Sequence, residues 1–126
     1  ELEVDPEWVI EAEVNTPCAH EAVVDLLCSS ERPTAIFCFN DEMAWGVYQA
    51  AHDAGLSIPK DLSVVGFDDI RLIAPVLRPG LTTMRLPHYE MGRWAVERLL
   101  SGEEGIEELA MECPLVERDS VASPVR

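Results

Sequence analysis

Residues 34–69 read TAIFCFNDEMAWGVYQAAHDAGLSIPKDLSVVGFDD, and the fold is decided there. Residues 34–39 are an almost wholly apolar run, as expected of a strand covered on both faces in a parallel sheet. Asn40 or Asp41 then caps a helix whose Met43, Ala44, Val47, Ala50, Ala51 and Ala54 share one broad face. Gly55 stands where a left-handed residue closes a helix, Pro59 follows, and residues 62–67 form a second buried strand. Each strand ends on a polar pair, Asn40-Asp41 and Asp68-Asp69. In an open parallel sheet, ligands bind beyond the carboxyl ends of the strands, which makes both pairs candidate binding groups.

Upstream, Asp5-Pro6-Glu7-Trp8 has the acid-then-proline signature of a single helical turn. Residues 11–15 alternate polar and apolar, as a short strand does. Thr16-Pro17 opens a helix to about Ser29, with Ala19, Ala22, Val23, Leu26 and Leu27 on one face. Downstream, Asp68-Asp69 caps a short apolar segment holding Ile70, Leu72, Ile73, Val76 and Leu77. Residues 81–86 are β-branched enough for a strand. Pro87 starts a helix through about Ser101, closed by Gly102; residues 109–116 make a last strand and residues 119–126 a fraying tail. The alternation of helix and strand over residues 11–69 predicts an α/β fold, a doubly wound parallel sheet.

The 126 residues suit one compact domain. With 24 acidic residues against 9 basic ones, the net charge of −15 argues against nucleic-acid binding by this stretch itself. No apolar run approaches the ~20 residues that span a bilayer. No basic segment followed by an apolar one opens the chain, so nothing marks it for export. Cys18, Cys28, Cys38 and Cys113 form no C-x-x-C pair, and His20, His52 and His88 fall on separate helices, so no zinc site is expected. Cys38, inside the apolar strand, reads as a small buried hydrophobe.

An Asn offers both donor and acceptor, and an ionised Asp accepts two hydrogen bonds, a pairing that suits a sugar hydroxyl or a base edge. Helix capping alone would also account for Asn40, Asp41, Asp68 and Asp69. An enzymatic reading would gather Asp41, Asp68 and Asp69 as oxygen ligands for Mg²⁺. Against it, only Arg71 follows either strand end, and no glycine-rich phosphate loop, G-x-S-x-G or H-E-x-x-H occurs. Trp45 and Tyr48, with the apolar segment after Asp69, fit either a protein–protein contact or a satellite core under a loop.

Pro33-Thr34-Ala35-Ile36-Phe37, Asn40-Asp41-Glu42-Met43-Ala44-Trp45-Gly46, residues 55–69, Leu81-Thr82-Thr83 and Leu115-Val116-Glu117-Arg118-Asp119-Ser120 resemble, in order, the LacI/GalR family of bacterial transcription regulators. The resemblance implies an incomplete periplasmic-binding-protein-like type I fold, mostly the C-terminal subdomain. On it, residues 1–126 form a partial effector-binding and dimerisation domain. Residues 11–69 are its βαβαβ core, residues 81–102 a crossover strand and helix of the N-terminal subdomain in intact members, and residues 109–117 a returning strand. Asn40 and Asp68 would reach a small-molecule effector, a sugar or nucleobase, with Asp41 and Asp69 left chiefly as caps. Trp45, Tyr48, Leu72, Ile73, Val76 and Leu77 would form a homodimer face. Val14 falls where some members carry a ligand-facing aromatic.

The resemblance further implies a cytoplasmic regulator, with no enzymatic activity, cofactor or membrane partner. DNA would be contacted only through a helix-turn-helix outside these residues. The sugar-binding protein of a transporter shares this fold, but the Leu-Val-Glu-Arg-Asp-Ser ending favours the regulator. The family's first strand of this subdomain precedes residue 1 and lies between the strands at 11–15 and 34–39. Residues 1–30 are therefore expected to dock abnormally, or a neighbouring chain to fill the gap.

Overall fold

The computed structural model describes residues 6–102, 105 and 108–124. After a 3₁₀ turn at Pro6–Trp8 come α1 (Thr16–Cys28), β1 (Ala35–Phe37), α2 (Asp41–Asp53), β2 (Ser63–Asp68), β3 (Thr82–Arg85), α3 (His88–Ser101) and β4 (Leu115–Val116). The strands form one sheet in the order β1-β2-β3-β4, the first three parallel and β4 antiparallel to β3. The α/β class with a largely parallel sheet is thus as the sequence implies.

The helices start and stop where their capping residues stand. Asn15 Oδ1 accepts the Cys18 N–H at 2.9 Å to open α1, and Asn40 Oδ1 accepts the Met43 N–H at 2.9 Å to open α2. Val23 and Leu27 of α1 and Ala44, Val47, Ala50 and Ala51 of α2 form the core with Leu62, Val64, Ala74 and Leu81. The two helices meet at Gly46, where a Cβ would run into the Thr16 carbonyl and the His20 backbone nitrogen. Thr16 Oγ1 donates to the Glu42 carbonyl at 3.0 Å across the same crossing.

Residues 11–15 are not a strand. Glu11, Glu13 and Val14 are exposed, and Asn15 serves the helix. Alternation alone does not make a strand when no neighbouring backbone takes up its N–H and C=O groups. The gap expected from abnormal docking of residues 1–30 is not found among the described residues: the four strands form one continuous sheet, residues 11–15 stay outside it, and α1 packs on α2. Residues 1–5 lie outside the described residues.

The strand at 34–39 also departs from expectation. β1 is an edge, with Phe37 65% and Phe39 71% exposed, rather than covered on both faces. Beside it runs an apolar groove of about 800 Å³, lined among others by Trp8, Ile10, Ala22, Leu26, Ile36 and Phe39. β2 is the central, buried strand.

The expected fraying tail is instead stitched into the sheet. Ser120 is wholly buried; its Oγ donates to the Val64 carbonyl at 2.6 Å and accepts the Thr82 N–H at 2.8 Å. The Ser120 carbonyl accepts the Val64 N–H at 2.9 Å. The cause lies in the register: β2 and β3 begin to pair only at Val65 and Thr82, so Val64 needs another partner on that side. The last strand is shorter than the 109–117 expected, pairing only at Leu115 and Val116. α3 buries none of its residues.

Candidate functional site

β1 ends at Phe37, the partner of Val65; three residues on, Asn40 caps α2, and three residues past Val65, Asp68 ends β2. Both candidate ligand residues thus stand at one rim, at the carboxyl ends of adjacent parallel strands. Asn40 keeps two roles on different atoms. Its Oδ1 is spent on the Met43 N–H, which leaves Nδ2 as a donor for a ligand. Among the described residues, no hydrogen bond or ion pair engages the Asp68 carboxylate.

Asp68 (φ 112°) and Asp69 (φ 57°) both have left-handed backbones. Such conformations cost non-glycine residues on the order of 1–3 kcal/mol each and persist only where surroundings impose them. Three contacts impose these. Asp41 Oδ2 accepts the Ile70 N–H at 2.6 Å, Asp69 Oδ1 accepts from Arg118 Nη2 at 2.6 Å, and Asp69 Oδ2 accepts from Arg85 Nε at 2.8 Å. The other Asp41 oxygen, Oδ1, accepts the Thr83 hydroxyl at 2.5 Å. A Cβ at Gly66 would collide with that oxygen, which accounts for the glycine.

Asp41 and Asp69 are therefore not caps, contrary to the sequence reading. Neither gives its side chain to a helix N–H; each holds the turn after β2. Burial pushes the Asp41 carboxyl up from the usual carboxylate range, against the opposing pull of the Thr83 and Ile70 hydrogen bonds. At Asp69 burial also pushes up, but the hydrogen bonds and charges of Arg118 and Arg85 outweigh it and the carboxyl ends below its ordinary value. The three carboxylates do not converge on a shared point for a metal: Asp41 turns inward and Asp69 is consumed by two guanidinium groups. Among the described residues no three acidic, His or Cys side chains cluster for a metal.

Asp68 lines a groove of about 1080 Å³ with Asp69, Arg85, Leu86, His88, Tyr89 and Arg118, running from the end of β3 to the start of α3; Asn40 does not line it. The sequence reading missed Arg85, Arg118 and His88 as site residues. A signal existed for the arginines, since both are scarce cations next to strand ends, but nothing in the sequence couples positions 85 and 118 to 69. Cys38 is buried and its thiol is pushed up to about 12, so it is inert.

The expected dimer face divides. Trp45 is 43% and Leu72 84% exposed, and Val76 is also exposed. Ile73 is half-buried and Leu77 packs against the core. Tyr48 belongs inside: it is only 8% exposed, and its hydroxyl donates to the Pro79 carbonyl at 3.0 Å. An aromatic ring with a backbone partner in reach gains more from burial than from facing water.

Residues 1–121 match the periplasmic binding protein-like domain. The ribose operon repressor of Haemophilus influenzae is 40% identical over 126 residues, covering 97% of this chain and 38% of the repressor. A LacI family transcriptional regulator from Arthrobacter sp. FB24, solved in complex with lactose, superposes with a TM-score of 0.79 at 37% identity, over 88% of this chain and 43% of that one. A LacI family regulator from Enterococcus faecalis V583, with bound ribose, gives 0.78 at 32% identity, over 92% and 43%. The chain thus spans less than half the length of these relatives. It belongs to the periplasmic binding protein-like domain family, in the form found in the effector-binding part of LacI/GalR regulators.

Proposed function

We propose that this chain is the effector-sensing and dimerising part of a cytoplasmic LacI/GalR-type transcriptional regulator, and that it takes a sugar. Asn40 Nδ2 donates to a hydroxyl and the Asp68 carboxylate accepts from one. Operator DNA is met by a segment outside these residues, and a second copy packs on Trp45, Leu72 and Val76. The observation that carries the reading is that Asn40 and Asp68 follow the carboxyl ends of adjacent parallel strands, with the Asn40 Nδ2 and the Asp68 carboxylate unengaged among the described residues. That pair grips the adjacent hydroxyls of a sugar ring in opposite senses. Support for the sugar class also comes from the ribose and lactose in the two solved relatives.

Calorimetric titration with D-ribose and with lactose tests it. The expected result is saturable binding of one of them, weakened at least ten-fold by Asp68→Ala, which corresponds to about 1.4 kcal/mol. Binding that survives both Asn40→Ala and Asp68→Ala overturns the assignment.

A further inference from the structure

Asp41 is the residue next to Asn40, yet its side chain works on the opposite lip. The carboxylate is wholly buried. One oxygen holds the amide of Ile70, two residues past Asp68, and the other is fixed by the Thr83 hydroxyl on β3. Gly66 leaves it room. The two groups that face a ligand are therefore tied to one internal anchor, Asn40 through a peptide bond and Asp68 through the Ile70 amide. A carboxylate is a poor choice for stability alone at such a place, because taking it out of water costs more than burying an apolar side chain of that size. Its position is better explained by what it aims.

We infer that Asp41 is a positioning residue for effector binding: it sets the separation of Asn40 from Asp68 and holds the left-handed turn at Asp68 in place before a ligand arrives. This rests on the reading that Asn40 and Asp68 take the ligand. A site fixed in advance does not spend ligand affinity on ordering the turn. Asp69 steadies the same turn from outside through two guanidinium groups, those of Arg118 and Arg85, whose side chains are 20% and 56% exposed. Asp41 is the shielded half of the clamp.

The test combines four variants with two readouts. Asp41→Ala and Thr83→Val remove the grip or the group that orients it. Asp41→Asn keeps an acceptor for the Ile70 N–H and turns its amide to Thr83 Oγ1. Val47→Ala, in the core away from the rim, is the control for lost stability. Expected for whichever of D-ribose and lactose binds is at least a ten-fold loss of affinity in Asp41→Ala and Thr83→Val, most of it recovered in Asp41→Asn, and none in Val47→Ala. In an Asp68→Ala background, Thr83→Val costs nothing further. Undiminished affinity in Thr83→Val, an equal loss in Val47→Ala, or losses that add to that of Asp68→Ala overturns the proposal. Thr83→Val carries the test alone if Asp41→Ala does not fold.

If neither D-ribose nor lactose binds, or the one that binds does so to Asp68→Ala as well as to the native chain, it is the ligand reading that fails. The hold on the turn is then decided by hydrogen exchange at the Ile70 amide. Exchange at least ten-fold faster in Thr83→Val, and unchanged in Val47→Ala, supports it; equal exchange in all variants overturns it.

Discussion

Asn40 and Asp68 each follow the carboxyl-end pair Phe37 and Val65 by three residues, Asn40 as the cap of α2 and Asp68 as the last residue of β2. Because Asn40 also caps α2, its two functions separate by substitution. Asn40→Asp keeps an oxygen for the Met43 N–H and removes the amide donor, so stability holds while sugar affinity falls at least ten-fold. Asn40→Ala loses both, with about 1 kcal/mol of stability gone with the cap. Paired denaturant melts and calorimetric titrations read the two effects apart. Equal sugar affinity in Asn40→Asp and the native chain would exclude the donor role.

Gly66→Ala drives a methyl into Asp41 Oδ1. The backbone of β2 cannot retreat, since it pairs with β1 on one side and β3 on the other. The expected cost is about 2 kcal/mol, in the usual range for overfilling a packed site, measured by urea unfolding. A variant as stable as the native chain would show that the carboxylate has room to move.

The pH dependence of stability carries two opposite signs. Asp69 sits below its ordinary value in the fold, so it contributes stability above about pH 4 that is lost as pH falls through its folded value. Asp41 sits above its ordinary value, so its contribution is full in acid and is lost as pH rises from about 4 through its folded value. Asp69→Asn should flatten the loss on the acid side and Asp41→Asn the loss on the rising side. Unfolding free energies taken in steps between about pH 3 and pH 7 decide this. An acid limb unchanged by Asp69→Asn would contradict the first half.

Trp45→Arg and Leu72→Glu are each expected to weaken self-association at least ten-fold in sedimentation equilibrium. Tyr48→Phe should leave association alone and cost about 1 kcal/mol of stability through the lost bond to Pro79. Association unaffected by Trp45→Arg and Leu72→Glu would place the dimer face elsewhere.

The helices and the central strand were legible because their signals are local. Thr16-Pro17, Asn40 and the glycines at 55 and 102 mark ends, and the apolar spacing marks faces. What was not legible depends on which backbone lies next to which. Residues 11–15 carry a strand's alternation but find no partner. Ser120 looks like any polar tail residue until β2 and β3 start out of step and leave Val64 without a β3 partner. Asp41 and Asp69 look like caps because the sequence shows only their neighbours along the chain. Their real partners, Thr83, Arg85 and Arg118, are brought in by sheet register across 16 to 49 positions. Tyr48 was misplaced for the same reason, since Pro79 lies 31 positions away.

The Ser120 stitch also orders events in time. A chain leaving the ribosome can raise α1, β1 and α2 early, since each depends on residues close at hand. The start of β2 then waits for residues 118–122, which supply the bonds to Val64, Ser63 and Thr82. Without that segment, the start of β2 lacks its hydrogen-bond partners on the β3 side. Residues 118–122 are therefore long-range partners without which the start of the central strand is incomplete, and Ser120 is the one that bonds both β2 and β3.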